Sequence, residues 1–142
     1  MIIEKLKIDD IPELLNLYKE LTDMEGSVEI AIETYKQMLK DEKYLLLVAK
    51  EEGRIIGSVL GVCCMILALD GGYFLAIEDV IVKEEARGKG VGRKLMEKLD
   101  EFAINSDCAY SLLVSSGHRK GAHKFYERIG FTEDVKGFRK WY

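Results

Sequence analysis

Residues 76–99 read AIEDVIVKEEARGKGVGRKLMEKL. An apolar, strand-like run gives way to a short charged connection, then to a basic loop with glycines at 88, 90 and 92, then to a helical pattern. A glycine inside a helix costs about 1 kcal/mol relative to alanine. Placing several at a helix start implies a need for bare backbone. Such a loop exposes unpaired N–H groups, and the helix dipole adds partial positive charge there. It is an anion site, most naturally for a phosphate or pyrophosphate. Missing side chains let the backbone approach the ligand closely, and Arg87, Lys89 and Arg93 add charge.

Two nucleotide-binding patterns fail on spacing. A Walker A loop needs GxxxxGK[ST], and the chain has no such run. The dinucleotide fingerprint GxGxxG begins well at Gly88 and Gly90 but ends on Arg93. The loop also follows the strand at a distance rather than forming its immediate turn. The pattern that remains is RxxGxG, with Arg87, Gly90 and Gly92 in the fixed places.

The remaining sequence bounds what this loop can serve. With 142 residues, 48% apolar and 32% charged, the chain has the composition of one ordinary soluble domain with a real core. The opening MIIEKLKIDD lacks the apolar stretch of a signal peptide. The longest apolar run, VLGVCCMILAL, is too short to span a membrane. A cytoplasmic protein without a membrane partner is the expectation. Cys63, Cys64 and Cys108 do not follow a metal-ligand spacing and read as packing residues, so no metal is expected. Residues 1–60 carry 8 basic and 13 acidic side chains, net −5, while residues 117–142 carry 7 basic and 3 acidic, net +4. That asymmetry is not the uniform basic surface of a nucleic-acid binder.

Elements follow from periodicity. MIIEKLKI reads as a first strand. Asp9 or Asp10 can cap a helix with Pro12 in its first turn and Ile11, Leu14, Leu15, Tyr18 and Leu21 on one side. A second helix is predicted from about Val28 to Lys40. KYLLLVAKEEGRIIGSVLGVCCMILAL reads as two strands around an EEGR turn. A DGG turn at Asp70–Gly72 leads to the strand YFLAIEDVIV. After the loop, Val91, Leu95, Leu99 and Phe102 recur at helical spacing. AYSLLVSS is a short apolar strand of the kind that sits centrally in a sheet. HRKGAHKFYERIG forms a helix that Gly130 caps, and FTEDVKGFRKWY closes the chain as a strand or hairpin. No linker or repeat marks a second domain.

The strand, the RxxGxG loop and the amphipathic helix together resemble the pyrophosphate-binding motif of the GNAT superfamily of acetyl-CoA-dependent N-acetyltransferases. AHKFYERIGF resembles that family's later helix, with an aromatic pair ahead of a Gly-Phe turn. The order of elements is similar over essentially all of residues 1–142. The resemblance implies a single α/β (α+β) domain with a mixed, mostly antiparallel sheet flanked by helices, in the order βααβββαβαβ. It implies acetyl-CoA as cosubstrate and transfer of its acetyl group to a primary amine by direct attack in a ternary complex. The acceptor expected first is a small-molecule amine. A protein or peptide amine, or an acyl-CoA sensor without turnover, are the rival readings.

Residue roles follow from the same resemblance. Amides of Arg87, Gly88, Lys89, Gly90, Val91, Gly92 and Arg93 hold the pyrophosphate. The backbone of Val80, Ile81 and Val82 pairs with the pantetheine arm, and the Val80 N–H faces the thioester oxygen. Transfer requires a neutral amine, a stabilised tetrahedral oxyanion and a proton for the thiolate. Tyr126 is the expected general acid, with Phe125 beside it among the cofactor contacts; the rival reading makes Tyr126 a core residue. Glu78 is the expected base, directly or through water, or else one half of a structural ion pair. On a regular strand Glu78 shares a face with Val80 and Val82, while Asp79 points the other way. Arg119 stands where many relatives carry an asparagine. It is assigned to a CoA phosphate or an anionic substrate group, with a solvated helix start as the alternative. His123 reads as a polar face residue. Asp23, Glu25, Glu29 and Glu33 would attract a cationic amine, or simply form an exposed helix face. The terminal GFRKWY is left open between closing the acceptor pocket and pairing with another subunit in a homodimer.

Overall fold

The computed structural model describes all residues 1–142. Five strands, β1 (Ile2–Lys5), β2 (Tyr44–Glu51), β3 (Arg54–Met65), β4 (Tyr73–Val82) and β5 (Cys108–Leu113), form one sheet in sequential order. Four helices of eight residues or more accompany them: α1 (Ile11–Tyr18), α2 (Val28–Met38), α3 (Val91–Asn105) and α4 (Lys120–Arg128). β1–β2, β2–β3 and β3–β4 all pair antiparallel. This is the mixed, mostly antiparallel α/β architecture expected, with helices flanking the sheet. No helix is long and apolar enough to cross a membrane. The chain divides into two compact units, Met1–Leu112 and Leu113–Tyr142, described in turn.

Local chemistry explains the turns of the first unit. Glu52 and Gly53 both take positive φ, 49° and 78°. That is the requirement of the tight two-residue turn whose twist suits a hairpin. Leu69, Asp70 and Gly71 are likewise left-handed in the β3–β4 connection, which contains the expected DGG turn. Ser27 caps α2 by accepting from the Ile30 N–H at 3.3 Å, and the helix ends at Met38, one turn's fraction short of the expected Lys40. Asp10 precedes α1 without a side-chain cap bond. Its carboxylate instead accepts from the Lys7 amide at 3.3 Å and from Lys50 Nζ at 2.7 Å.

Each sheet face has its own core. On one, Leu6, Val48, Ile55 and Ile81 pack with Ile11, Leu14 and Leu17 of α1 and Tyr35 of α2. The Tyr35 hydroxyl donates to the Leu6 carbonyl at 2.6 Å, which satisfies its one buried polar atom. On the other, α3 lies over β3 at two glycines. A Cβ on Gly57 would sit 3.0 Å from Val91 Cγ1 and 3.1 Å from the Ile81 carbonyl; one on Gly61 would sit 2.8 Å from Leu99 Cδ2. The missing side chains let the α3 stripe of Val91, Leu95 and Leu99 bury itself against the strand. Burying a leucine fully is worth about 1.5–3 kcal/mol. Cys63 is buried with its Sγ 3.6 Å from that of Cys108, and all three cysteines are free thiols.

The second unit departs from expectation at its end. Residues 131–142 form no strand, so β5 is the sheet's last strand rather than a central one. Glu133, Asp134 and Gly137 are poor strand residues. Phe138 and Trp141 are 84% and 73% exposed, so no burial stabilises a ladder there. Local cation–π contacts take its place, Lys136 over Phe138 at 5.6 Å and Arg139 over Trp141 at 5.4 Å. The α4 cap is as expected, with Gly130 at φ 109° and its N–H on the Glu127 carbonyl at 3.2 Å.

Candidate active site

In the first unit β4, the loop and α3 are continuous, and they carry one group of the expected site residues. Gly88 and Gly90 take φ of 75° and 82°, which glycine adopts freely. A Cβ at either would meet nothing within 4 Å, so the backbone there is open to a ligand. Gly90 is the N-cap of α3 and supplies no side-chain cap. The first backbone bond of the helix runs from the Lys94 N–H to the Gly90 carbonyl at 3.1 Å. The amides of Val91, Gly92 and Arg93 therefore enter the helix without an intrahelical acceptor. Those donors, the positive end of a four-turn dipole and the exposed Lys89 and Arg93 make a cradle that favours an anion. Arg87 is tied in place, its Nε donating to the Val82 carbonyl at 3.0 Å.

β4 is not the regular strand its sequence suggests. Leu60 pairs with Glu78 but Ser58 pairs with Ile81, so Asp79 and Val80 together oppose Val59 alone. This is a β-bulge, and its first residue, Asp79, takes φ of 51°. A left-handed conformation costs a non-glycine residue about 1–2 kcal/mol, least for Asp and Asn. The bulge breaks the alternation that would put Glu78, Val80 and Val82 on one face. Glu78 is exposed, whereas Asp79, Val80 and Val82 are half-buried.

Asp79 is the acid that sequence reasoning passed over. It makes no ion pair, and burial alone pushes its carboxyl above the usual aspartate value. Beside it lies a polar pair. The Ser58 hydroxyl, fully buried, donates to the Leu47 carbonyl at 3.0 Å. Ser58 Oγ then accepts from the Tyr18 hydroxyl at 3.5 Å. Burial pushes the Tyr18 phenol far up, the Ser58 bond pulls it down, and the negative charge of Asp79 raises it further. A lone serine in the apolar run of β3 was the available signal, but nothing in the sequence marks the bulge.

The second unit carries the other group. Tyr126 on α4 is 7% exposed, its ring tilted against Phe125 at 5.4 Å and edge-on to Phe131 at 6.0 Å. Burial raises its phenol pKa, and the Arg119 cation opposes that rise. Arg119 is the exposed residue just before α4. His123 Nε2 lies 2.9 Å from the Ser116 carbonyl, a tie between the helix and the chain before it. Glu25, Glu29 and Glu33 are held by local partners. Lys19 lies 3.7 Å from Glu25, the Ser27 hydroxyl 3.0 Å from Glu29, and Lys36 2.9 Å from Glu33. Those acids are an exposed, locally paired helix face.

Comparison with known proteins finds relatives over most of the chain. A family model described as the acetyltransferase (GNAT) family matches residues 9–131. An uncharacterized N-acetyltransferase of Bacillus subtilis is 32% identical over 117 residues, 79% of this chain and 81% of its own length. The thialysine N-epsilon-acetyltransferase of Sus scrofa is 27% identical over 153 aligned positions, covering 100% of this chain and 89% of that one. Among solved structures, glucosamine-6-phosphate N-acetyltransferase from Arabidopsis thaliana superposes with a TM-score of 0.90 at 25% identity, covering 99% of this chain and 97% of that one.

Proposed function

The chain belongs to the GNAT acetyltransferase family and is an acyltransferase; from that premise we propose that it moves an acetyl group from acetyl-CoA to a small-molecule primary amine. A single N-acetyltransferase domain over residues 1–142 carries this activity. The observation that supports acetyl-CoA is the α3 loop, where bare left-handed glycines and unpaired amides meet two free basic side chains. Acetyl-CoA supplies the acetyl group as a thioester.

The chain's own residues have separable tasks. Arg87 to Arg93 hold the pyrophosphate through backbone N–H groups. The β4 backbone at Val80, Ile81 and Val82 pairs with the pantetheine amides, and the Val80 N–H stabilises charge on the thioester oxygen. Tyr126 keeps its proton at neutral pH and gives it to the departing sulfur. Phe125 and Arg119 contact the cosubstrate. Glu78, exposed on β4, takes a proton from the amine through water, consistent with its access to solvent. Acceptors are amines because the relatives that share the fold are named for acetylating amines, thialysine and glucosamine 6-phosphate among them.

The test is acetyl transfer from acetyl-CoA across a panel of primary amines, read as free thiol released. Wild type should turn over at least one amine. Gly90→Asp should weaken acetyl-CoA binding tenfold or more (about 1.4 kcal/mol), because it sets an anion against the phosphates. Aspartate tolerates the left-handed backbone and its Cβ meets no neighbour, so the fold should survive. Unchanged affinity would remove the loop from the cosubstrate site.

A further inference from the structure

We infer that Cys63 and Cys108 are a disulfide-forming pair, closed by a small-molecule disulfide and reopened by a thiol, that ties together both ends of the segment carrying β4, the glycine loop and α3. The inference stands apart from the acetyltransferase reading, since the proposed transfer uses neither thiol. Their Sγ atoms lie 3.6 Å apart although 45 positions separate the residues in the chain. The fold brings them together from two sides. Gly57 and Gly61 of β3 lie beneath α3, and strand alternation puts Cys63 on the same face, two residues farther along. α3 ends at Asn105, and a turn in which the Asp107 N–H bonds the Ile104 carbonyl at 3.2 Å returns the chain to the sheet. Asp107 takes φ of 56° in that turn, and Cys108 follows as the first residue of β5. Cys64 belongs to the opposite face, and its thiol donates to the Val62 carbonyl at 3.6 Å.

The two sulfurs touch without being bonded. To reach the ~2.05 Å of a disulfide they must approach by about 1.5 Å, and each swings on its own side-chain torsion. Cys63 is buried and Cys108 half-buried, so an oxidant meets Cys108 first. The Cys108 thiolate attacks one sulfur of the small disulfide, which forms a mixed disulfide and releases one small thiol. The Cys63 sulfur then attacks Cys108 Sγ and displaces the second. The protein pair gives up two electrons and two protons, and the small disulfide leaves as two thiols. Burial, together with the bond to Cys63, pushes the Cys108 thiol up to about 12. Only the thiolate is nucleophilic, so closure is slow, on a scale of minutes to hours. The product is uncharged, and the burial that opposes the thiolate does not oppose the disulfide. The loop that the bond closes holds all of β4, the glycine loop and α3. Joining the ends of so long a loop restricts the unfolded chain and thereby stabilises the folded one.

The experiment incubates the full chain with glutathione disulfide at a series of ratios to reduced glutathione, alkylates the remaining thiols and maps cross-links by mass spectrometry. Of the three free thiols, two should disappear together and return as one peptide pair joining Cys63 to Cys108 within a single chain. The unfolding temperature of the oxidised protein should rise by roughly 5–10 °C, and dithiothreitol should restore the starting value. Cys64→Ser should oxidise as wild type does, whereas Cys108→Ala should form no internal bond and show no rise. The wild-type cross-link map decides the matter even where a variant folds poorly. Three thiols that stay free at the most oxidising ratio overturn the inference. So does a lasting glutathione adduct on Cys108, a cross-link through Cys64, or one between two chains. A Cys63–Cys108 bond that leaves the unfolding temperature unchanged or lowers it overturns the tie.

Discussion

A phenol serves as an acid only while it keeps its proton, and the environment of Tyr126 makes it keep it. Burial raises the phenol pKa above its ordinary 10.0, with the nearby Arg119 cation opposing the rise only in part. For the proposed acid role the active form is the protonated one, so activity should be present below the raised value and lost as pH climbs through it. The turnover number should therefore show no alkaline fall below pH 10 that belongs to this residue. Tyr126→Phe should lower kcat by about 10²-fold or more, the usual worth of a placed general acid, while acetyl-CoA affinity changes far less. A pH–rate profile of both proteins checks this. An alkaline fall in kcat well below pH 10, or a variant that loses affinity and not turnover, would assign the proton elsewhere. The place of Tyr126 on a helix beside Phe125 was legible in the sequence because an aromatic pair before a Gly-Phe turn survives as a string. Asp79 was not, because the same ED dipeptide on a regular strand would place its two carboxylates on opposite faces, and only the β3–β4 register reveals the bulge.

At the scale of elements, the position of the glycine loop depends on β3, which packs beneath the loop's junction with α3. Val91, the first residue of α3, rests on the bare backbone of Gly57, and Leu95 lies 3.2 Å from where a Cβ would be. Gly57→Val would press a branched side chain into Val91 and the Ile81 carbonyl. The cost should be about 1–3 kcal/mol, the range for overpacking a core, with α3 lifted at the end that carries the loop. Thermal unfolding should report the loss, and acetyl-CoA binding should weaken with it. A variant of wild-type stability and affinity would show that the helix does not depend on this contact. The helix itself was plain in sequence, since its apolar stripe repeats at helical spacing and Val91, Leu95 and Leu99 are all buried. The EEGR hairpin was equally plain, because few dipeptides accept two positive φ values. What the pattern could not show was the role of Gly57 and Gly61. In a string they read as weak points of a strand, and only packing makes them the floor beneath α3.

At the scale of the whole molecule, the order of elements was readable up to the last, and the last shows why the reading stopped there. FTEDVKGFRKWY has the aromatic content of a strand, but a strand is stabilised by cross-strand pairs and a buried face rather than by composition. Val135, Phe138 and Trp141 remain 62%, 84% and 73% exposed, so these side chains bury little apolar surface within the chain. The cation–π partners of Phe138 and Trp141 are neighbours in sequence and are worth about 0.5–1 kcal/mol each at exposed sites. Ending the chain after Asp134 should accordingly change unfolding stability by no more than about 0.5–1 kcal/mol, the scale of surface changes. It does remove Gly137, whose backbone runs beside Val114; a Cβ there would lie 3.2 Å from Val114 Cγ2. Val114 is itself 48% exposed, so little burial is lost with that contact. Chemical denaturation of the full and shortened chains, each at two protein concentrations, measures the difference. A loss of several kcal/mol that grows with concentration would mean that the tail finds its ladder on a second copy of the chain.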